Sequence, residues 1–343
     1  MGARQRLPAD DLGRGRVDDG RQPGARGAAS DGAAALRQEI RLGRQAEGGV
    51  RHEPGARHPA RGTGSRVGQP QARQGGARYR GAARQHRAAA GPHRRHGRPV
   101  NWDFPRGIAH RGGGSLAPEN TLAGIRLAAE LGCRAVEFDV MLSGDGTPVL
   151  IHDETLERTT SGRGRVAETS DAELARLDAG GWHSARYAGE PLPTFADAAE
   201  LCQALGLRAN VEIKPSSGAE AETGRKVAGL ARELWQGAVP PLLSSFSVEA
   251  LAAAAAAAPE LPRGWLVDAP PADWPKRLHR LEAVSLHCSR RHFGRRLLEE
   301  ARQAGAPLLV YTVNDAEDAL QLLHSGVAGL FSDRIDLLAG WGA

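Results

Sequence analysis

From about residue 105 onward the chain repeats one unit: a short β-like run ending on polar residues, then a segment with helical periodicity. Nine strand candidates follow in order, at 107–110, 135–142, 148–152, 209–213, 242–246, 264–267, 283–286, 308–313 and 329–332. Helix candidates stand at 121–131, 195–205, 220–235, 248–258, 295–304 and 316–323. Alternation of this kind folds as a parallel sheet covered by helices. Nine strands is one too many for a closed barrel of eight, and one connection removes the excess. Only five residues separate Leu142 from Pro148, whereas parallel neighbours need a crossover of roughly a dozen. Those two runs must form an antiparallel hairpin, with Asp145-Gly146 as its turn. The other eight make an α/β fold, a (β/α)₈ TIM barrel with a β-hairpin extension. A doubly wound open sheet is the alternative, weakened because no G-x-G-x-x-G follows the first strand.

The hairpin carries a register. A two-residue turn sets Gly144 opposite Thr147, and therefore His152 opposite Asp139. Glu137 shares that face, because strand side chains alternate. In the first helix Asn120 is the expected N-cap and Gly132 the stop, with Leu122, Ile125, Ala129 and Leu131 as the buried stripe. The insertion at about 154–192 is long for a barrel connection and has little periodicity. It is expected to cap the site, with Trp182, His183 and Tyr187 either touching substrate or forming the cap's own core.

Charge divides the chain into two parts. Residues 1–100 hold 21 Arg, no Lys and 8 Asp or Glu, about +13, while 101–343 hold 24 basic and 32 acidic residues, about −8. The overall +5 therefore belongs to the first segment, and the acidic remainder argues against a nucleic-acid-binding fold. Rich in Gly, Ala and Arg, with Tyr79 its one aromatic, the segment 1–100 cannot bury enough apolar surface to offset its ordering entropy. It is expected to be disordered, with a helix allowed only over 31–45. Its arginine-loaded, lysine-free text reads as a start placed too far upstream. Val100, as an alternative initiation codon, would begin a compact protein at Asn101-Trp102, and the domain is 101–343. Cys133, Cys202 and Cys288 are widely spaced and read as small buried residues in a reducing, cytoplasmic setting. No apolar core of a secretory signal and no run of about 20 apolar residues is present.

Four polar islands sit in strand-like contexts: His110-Arg111-Gly112, Glu137-x-Asp139, His152-Asp153 and Glu212-x-Lys214. Glu137, Asp139 and Glu212 offer hard oxygen donors suited to Mg²⁺ or Ca²⁺ rather than zinc. Without a cation they would repel one another. His110 and His152 end separate strands, where barrel active sites lie, and are acid/base candidates near neutral pH. Arg111 and Lys214 suit phosphoryl oxygens that gain charge in a transition state. Lys214 shares the face of Glu212, and Arg111 is nearly as well placed for a salt bridge to Glu119. Asp153 is a supporting group beside His152, and His287 ends another strand, where it could line the pocket. The set suits metal-assisted cleavage of a phosphodiester.

In this order, with Pro118-Glu119-Asn120-Thr121, Leu243-Ser244-Ser245-Phe246, Tyr311-Thr312-Val313-Asn314 and Gly329-Leu330-Phe331-Ser332-Asp333 beside them, the islands resemble the glycerophosphodiester phosphodiesterase family over about residues 101–340. Asn101-Trp102 through Arg106, and 189–195, are similar to its cytoplasmic bacterial branch, whose members begin a few residues before the first motif. The resemblance implies a (β/α)₈ barrel with a small insertion after the second histidine motif. It implies hydrolysis of glycerophosphodiesters, such as glycerophosphocholine or glycerophosphoethanolamine, to sn-glycerol 3-phosphate and an alcohol. Glu137, Asp139 and Glu212 would then hold a divalent metal, Mg²⁺ ahead of Ca²⁺. His110 and His152 would be the acid/base pair, and Arg111 and Lys214 would meet the phosphate. Which histidine acts first stays open, as does whether water or the neighbouring glycerol hydroxyl attacks phosphorus. A lysophospholipase D-type activity would need a wide apolar mouth, for which six Phe and six Trp are few.

Overall fold

A computed structural model describes residues 102–340. The arginine-rich segment, with its expected disorder and its helix at 31–45, lies outside the described residues. Eight strands form the barrel: β1 (Gly107–Ala109), β2 (Ala135–Leu142), β4 (Arg208–Ile213), β5 (Leu242–Ser245), β6 (Arg263–Val267), β7 (Ser285–Ser289), β8 (Leu308–Tyr311) and β9 (Gly329–Ser332). They run in the order β1-β9-β8-β7-β6-β5-β4-β2, all parallel, and Ala109 pairs with Val136 to close the ring. The short β3 (Pro148–Leu150) lies outside it, antiparallel to β2, as the five-residue connection requires.

The helices are α1 (Leu122–Glu130), α2 (Asp171–Leu174), α3 (Phe195–Ala204), α4 (Glu220–Leu234), α5 (Val248–Ala257), α6 (Trp274–Arg280), α7 (Arg295–Ala304) and α8 (Ala316–Ser325). Two of them escape the sequence pattern. The α2 segment is a single turn, and α6 carries Pro275 near its start, a residue that reads as a breaker although the first helical turn tolerates it.

Strand alternation splits the apolar residues into two layers. Val136, Phe138 and Val140 of β2 join the large core beneath the helices, where the Phe138 ring lies 6.2 Å from that of Phe195 on α3. Ile108, Ala135, Leu242, Leu309 and Phe331 form a second cluster with Phe104, which plugs the barrel below the polar residues of its mouth. Full burial of one such large side chain stabilises by about 1.5–3 kcal/mol, so both layers are fixed firmly.

The hairpin register is one residue off the expected one. Val140 pairs with Leu150, Met141 with Val149 and Leu142 with Pro148, so Asp139 stands opposite Ile151 rather than His152. The turn is the cause. Gly146 N–H donates to Ser143 O, and Ser143 N–H to Thr147 O, both at 2.9 Å, and Gly146 has φ +81°. This is a three-residue loop whose last residue is a left-handed glycine, not a two-residue turn. His152 then lies in a bend beyond the end of β3, where no ladder sets its direction.

Residues 154–192 pack on the outer side of this hairpin. Leu156, Val166 and Leu174 share a satellite core with Met141, Val149 and Ile151. Trp182, His183 and Tyr187 meet edge to face, with ring centroids 5.6 Å apart in each pair. Of the two readings open for these rings, the structure shows the self-packed cluster. The three cysteines are buried free thiols. Burial pushes Cys133 up to about 11 and Cys202 and Cys288 up to about 12, which leaves them poor nucleophiles. Among the described residues no helix is long and apolar enough to cross a membrane.

Two glycines of α4 separate packing from propensity. A Cβ on Gly224 would lie 2.2 Å from the Ala250 carbonyl oxygen of α5, whereas one on Gly229 would meet nothing within 4 Å. Gly224→Ala is expected to destabilise by about 1–3 kcal/mol through overpacking. Gly229→Ala is expected to stabilise by about 0.5–1 kcal/mol through helix propensity. Urea unfolding of the two variants checks this, and equal signs would mean that α4 and α5 do not meet at Gly224.

Candidate active site

Strands β1, β2 and β4 deliver their polar residues to the same end of the barrel. Glu137 and Asp139 lie two apart on β2 and so share one face, and the parallel register sets Asp139 beside Glu212 of β4. Glu137, Asp139 and Glu212 each offer an oxygen within 4.8 Å of the others. Lys214 Nζ reaches into this group, 3.1 Å from Asp139 Oδ1 and 3.5 Å from Glu212 Oε1.

The chain reverses sharply after β1. Arg111 has φ +52° and Gly112 φ +71°, and a second consecutive left-handed residue favours glycine. The turn aims two amides at β2: Arg111 N–H donates to Glu137 Oε2 and Gly112 N–H to the Glu137 carbonyl, both at 2.8 Å. The Arg111 side chain points inward. Its Nη1 donates to Glu119 Oε1 at 2.9 Å, and its Nε lies 3.7 Å from Asp139 Oδ2. The two partners weighed for this arginine from sequence, Glu119 and the site, are thus both engaged.

Asn120 is not the cap of α1. Thr121 is, with its hydroxyl accepting from Gly124 N–H at 3.1 Å. Asn120, at φ +56°, instead grips Asp139. Its amide donates to Asp139 Oδ2 at 2.9 Å and its carbonyl oxygen accepts from Asp139 N–H at 3.0 Å.

Each histidine at the mouth has an aspartate on Nδ1. His110 Nδ1 lies 2.6 Å from Asp333 Oδ1, and His152 Nδ1 lies 2.6 Å from Asp153 Oδ1. A carboxylate there favours the Nδ1–H tautomer and leaves Nε2 for proton transfer. Asp333 is itself held by Asn314, whose amide donates to its Oδ2 at 2.8 Å. Asp333, Asn314 and the anchoring role of Asn120 were missed from sequence. Their motifs were visible, but His110 and Asp333, 223 positions apart, are joined only by closure of the barrel, and Asn120 and Asn314 each reach an aspartate 19 positions away that only the fold brings near. Arg158, in the turn after β3, was missed as well. It bonds both Asp153 and Glu119.

Burial raises Glu137 to about 7 and Glu212 to about 8, and the charge of Asp139 adds to both shifts. Asp139 is held below the usual range. Burial opposes that, but Lys214, His152, Arg111 and the Asn120 bond outweigh it. His110 is raised, because its bond to Asp333 and the charge of Glu137 exceed the effect of burial. His152 is lowered by burial, with Lys214 and Arg111 acting the same way.

His110, Arg111, Glu137, Asp139, His152, Glu212 and Lys214 line one cavity of about 590 Å³, counting its open mouth. Phe246, Leu266, Tyr311 and Phe331 supply its apolar lining. No residue of 154–192 is among those lining residues; the insertion instead meets the loop after β1, where His183 Nε2 lies 3.3 Å from the Ser115 carbonyl oxygen. His287 does not line the cavity either. The strand β7 spans Ser285–Ser289 rather than 283–286, so His287 falls in mid-strand. There its Nε2 meets Ser285 Oγ at 2.9 Å and burial pulls it down to about 3. A Cβ on Gly264 would stand 2.5 Å from that Nε2, so the glycine makes room for the ring.

The donor set fits a divalent cation. All three carboxylates supply oxygen, and Glu137 Oε1 is buried without a hydrogen-bond partner, which a buried polar atom seldom is. The glycerophosphodiester phosphodiesterase of Caldanaerobacter subterraneus is 35% identical over 232 residues, 67% of this chain and 95% of that protein. A phosphodiesterase of Oleispira antarctica, solved in complex with the product sn-glycerol-3-phosphate, is 41% identical with a TM-score of 0.67, covering 69% of this chain and 96% of that one. A glycerophosphodiester phosphodiesterase of Agrobacterium tumefaciens superposes with a TM-score of 0.59 at 32% identity, over 69% of this chain and all of its own. The model of the Glycerophosphoryl diester phosphodiesterase family matches residues 110–337. That match begins at the first histidine of the cavity and runs past the last strand of the barrel, and the chain belongs to this family.

Proposed function

We propose that this enzyme hydrolyses glycerophosphodiesters, such as glycerophosphocholine or glycerophosphoethanolamine, to sn-glycerol 3-phosphate and an alcohol, using Mg²⁺ ahead of Ca²⁺. One observation carries the reading: three carboxylates that could share a cation and two aspartate-aligned histidines line one cavity. The product bound to the Oleispira antarctica relative supports the same product here. The unpaired thiols support a cytoplasmic setting.

Glu137, Asp139 and Glu212 would hold the cation, which supplies positive charge to a phosphoryl oxygen when bound. One histidine Nε2 takes a proton from the attacking oxygen as the new O–P bond forms. The other gives a proton to the departing alkoxide as the old P–O bond breaks. If the attacking oxygen is the neighbouring glycerol hydroxyl rather than water, water must then open the cyclic phosphate to give sn-glycerol 3-phosphate. Lys214 and Arg111 line the same cavity and offset the charge growing on the phosphoryl oxygens.

Release of sn-glycerol 3-phosphate from glycerophosphocholine is expected with Mg²⁺, more weakly with Ca²⁺, and not with EDTA. Equal activity in EDTA would end the metal assignment. His110→Ala and His152→Ala are each expected to slow turnover by about 10²–10⁴-fold. A variant keeping more than about a tenth of the rate would have lost a residue that is not acid or base. Glu137→Gln is expected to raise the metal concentration needed for half-maximal rate.

The carboxylates also set how metal-free stability depends on pH. Glu137 and Glu212 sit at about 7 and about 8 when folded, against an ordinary 4.5. Folding therefore favours their protonated forms. The stabilisation is complete below pH 4.5 and is lost as pH rises through 7 and 8. In EDTA the melting temperature of the wild type should fall, between pH 5 and pH 8.5, further than that of Glu137→Gln/Glu212→Gln. Added Mg²⁺ should raise it more at pH 8 than at pH 5.5. Parallel curves for the two proteins would contradict the burial of these charges.

A further inference from the structure

Arg158 touches neither the cavity nor the three clustered carboxylates, yet its guanidinium joins two groups that stand directly behind the site. Nε and Nη2 donate to Asp153, at 2.5 Å to Oδ2 and 3.0 Å to Oδ1. Nη1 and Nη2 donate to Glu119 Oε2 and Oε1, both at 2.8 Å. Each carboxylate in turn holds a side chain that lines the cavity. Asp153 Oδ1 meets His152 Nδ1 at 2.6 Å, and Glu119 Oε1 accepts from Arg111 Nη1 at 2.9 Å.

We propose that Arg158 is a positioning residue that fixes His152 and Arg111 relative to one another. This rests on the roles given above to those two residues. Glu119 belongs to the loop after β1 and Asp153 to the loop after β3, and no strand pairing joins those loops. The guanidinium joins them. Its planar fork presents two edges, each matched to one carboxylate, and a lysine ammonium has no such edges. Its charge also stands between two carboxylates that would otherwise repel.

The Arg158 side chain is 43% exposed, so solvent screening limits what its ion pairs add to stability. Alignment has far more leverage, because a misplacement of about 1 Å changes rates by about 10²-fold.

The test uses the full chain, saturating Mg²⁺ and glycerophosphocholine. Arg158→Ala is expected to lower kcat by about 10–100-fold, as loss of an orienting partner does, with Arg158→Lys recovering little. In the Glu119→Gln/Asp153→Asn background the same Arg158→Ala change should alter kcat by less than about twofold, because the groups it acts through are already impaired. Methylguanidine at tens of millimolar should restore part of the rate to Arg158→Ala and none to the wild type. If Arg158→Ala fails to give a cooperative thermal transition, Arg158→Gln takes its place in the same comparisons. An active wild type with kcat of the variant within twofold overturns the inference alone, as does an equal loss in both backgrounds. A folded wild type that releases no sn-glycerol 3-phosphate overturns the reading on which it rests.

Discussion

The repulsion among Glu137, Asp139 and Glu212 organises the mouth of this barrel. At an effective dielectric constant of 20, two unit charges 4 Å apart interact by about 4 kcal/mol, and three carboxylates make three such pairs. The protein's own cations answer only part of this. Of the three, Asp139 is the one nearest to the side-chain charges of Lys214 and Arg111, and the Asn120 amide adds to the same residue. Asp139 is therefore stabilised as an anion, while Glu137 and Glu212 are left to rise. A dication between them would reverse that imbalance, because both would then have a near positive charge. The arrangement makes physical sense as a binding site and little sense as a salt-bridged strand face.

Two different devices hold the two halves of the site. The carboxylates are placed by the sheet: β2 and β4 pair over six consecutive positions, from Ala135 with Arg208 to Val140 with Ile213. A slip there would move every carboxylate to the other face of its strand. The histidines have less of this support: only the His110 N–H joins the ladder, donating to the Ser332 carbonyl oxygen at 3.0 Å. His110 follows the last residue of β1, and His152 sits in a bend past β3. Each is aimed instead by an aspartate, one from its own loop and one from the end of β9. The sheet thus fixes where the carboxylates sit, and side-chain bonds fix how the two imidazoles are turned.

That division also explains what could be read in advance. The barrel was legible because strand alternation and one short connection are local facts. The carboxylate cluster was legible because Glu137 and Asp139 are two apart, and because Glu212 and Lys214 are too. The expectation that His152 faces Asp139 across the hairpin was wrong, since Gly146 in a left-handed conformation closes a three-residue loop. The two residues still share a cavity, but through the bend after β3. Asn120 was misread as a cap because asparagine before a helix is a good cap, and only the fold shows its amide engaged with Asp139. Asp333 stood in a recognisable motif, but nothing local tied it to His110, 223 positions away.

The apolar lining strengthens the charged one. Phe246, Leu266, Tyr311 and Phe331 belong to β5, β6, β8 and β9 or to the residue just after them, whereas the charged groups come from β1, β2, β4 and the bend after β3. Low-polarity side chains on one side of a cavity leave less water to screen the ions on the other, so each fixed charge acts over a longer reach. The cavity therefore presents a charged wall on one side and an apolar wall on the other. The insertion, anchored outside the hairpin by its own small core, also meets the loop after β1 through Arg158 and His183.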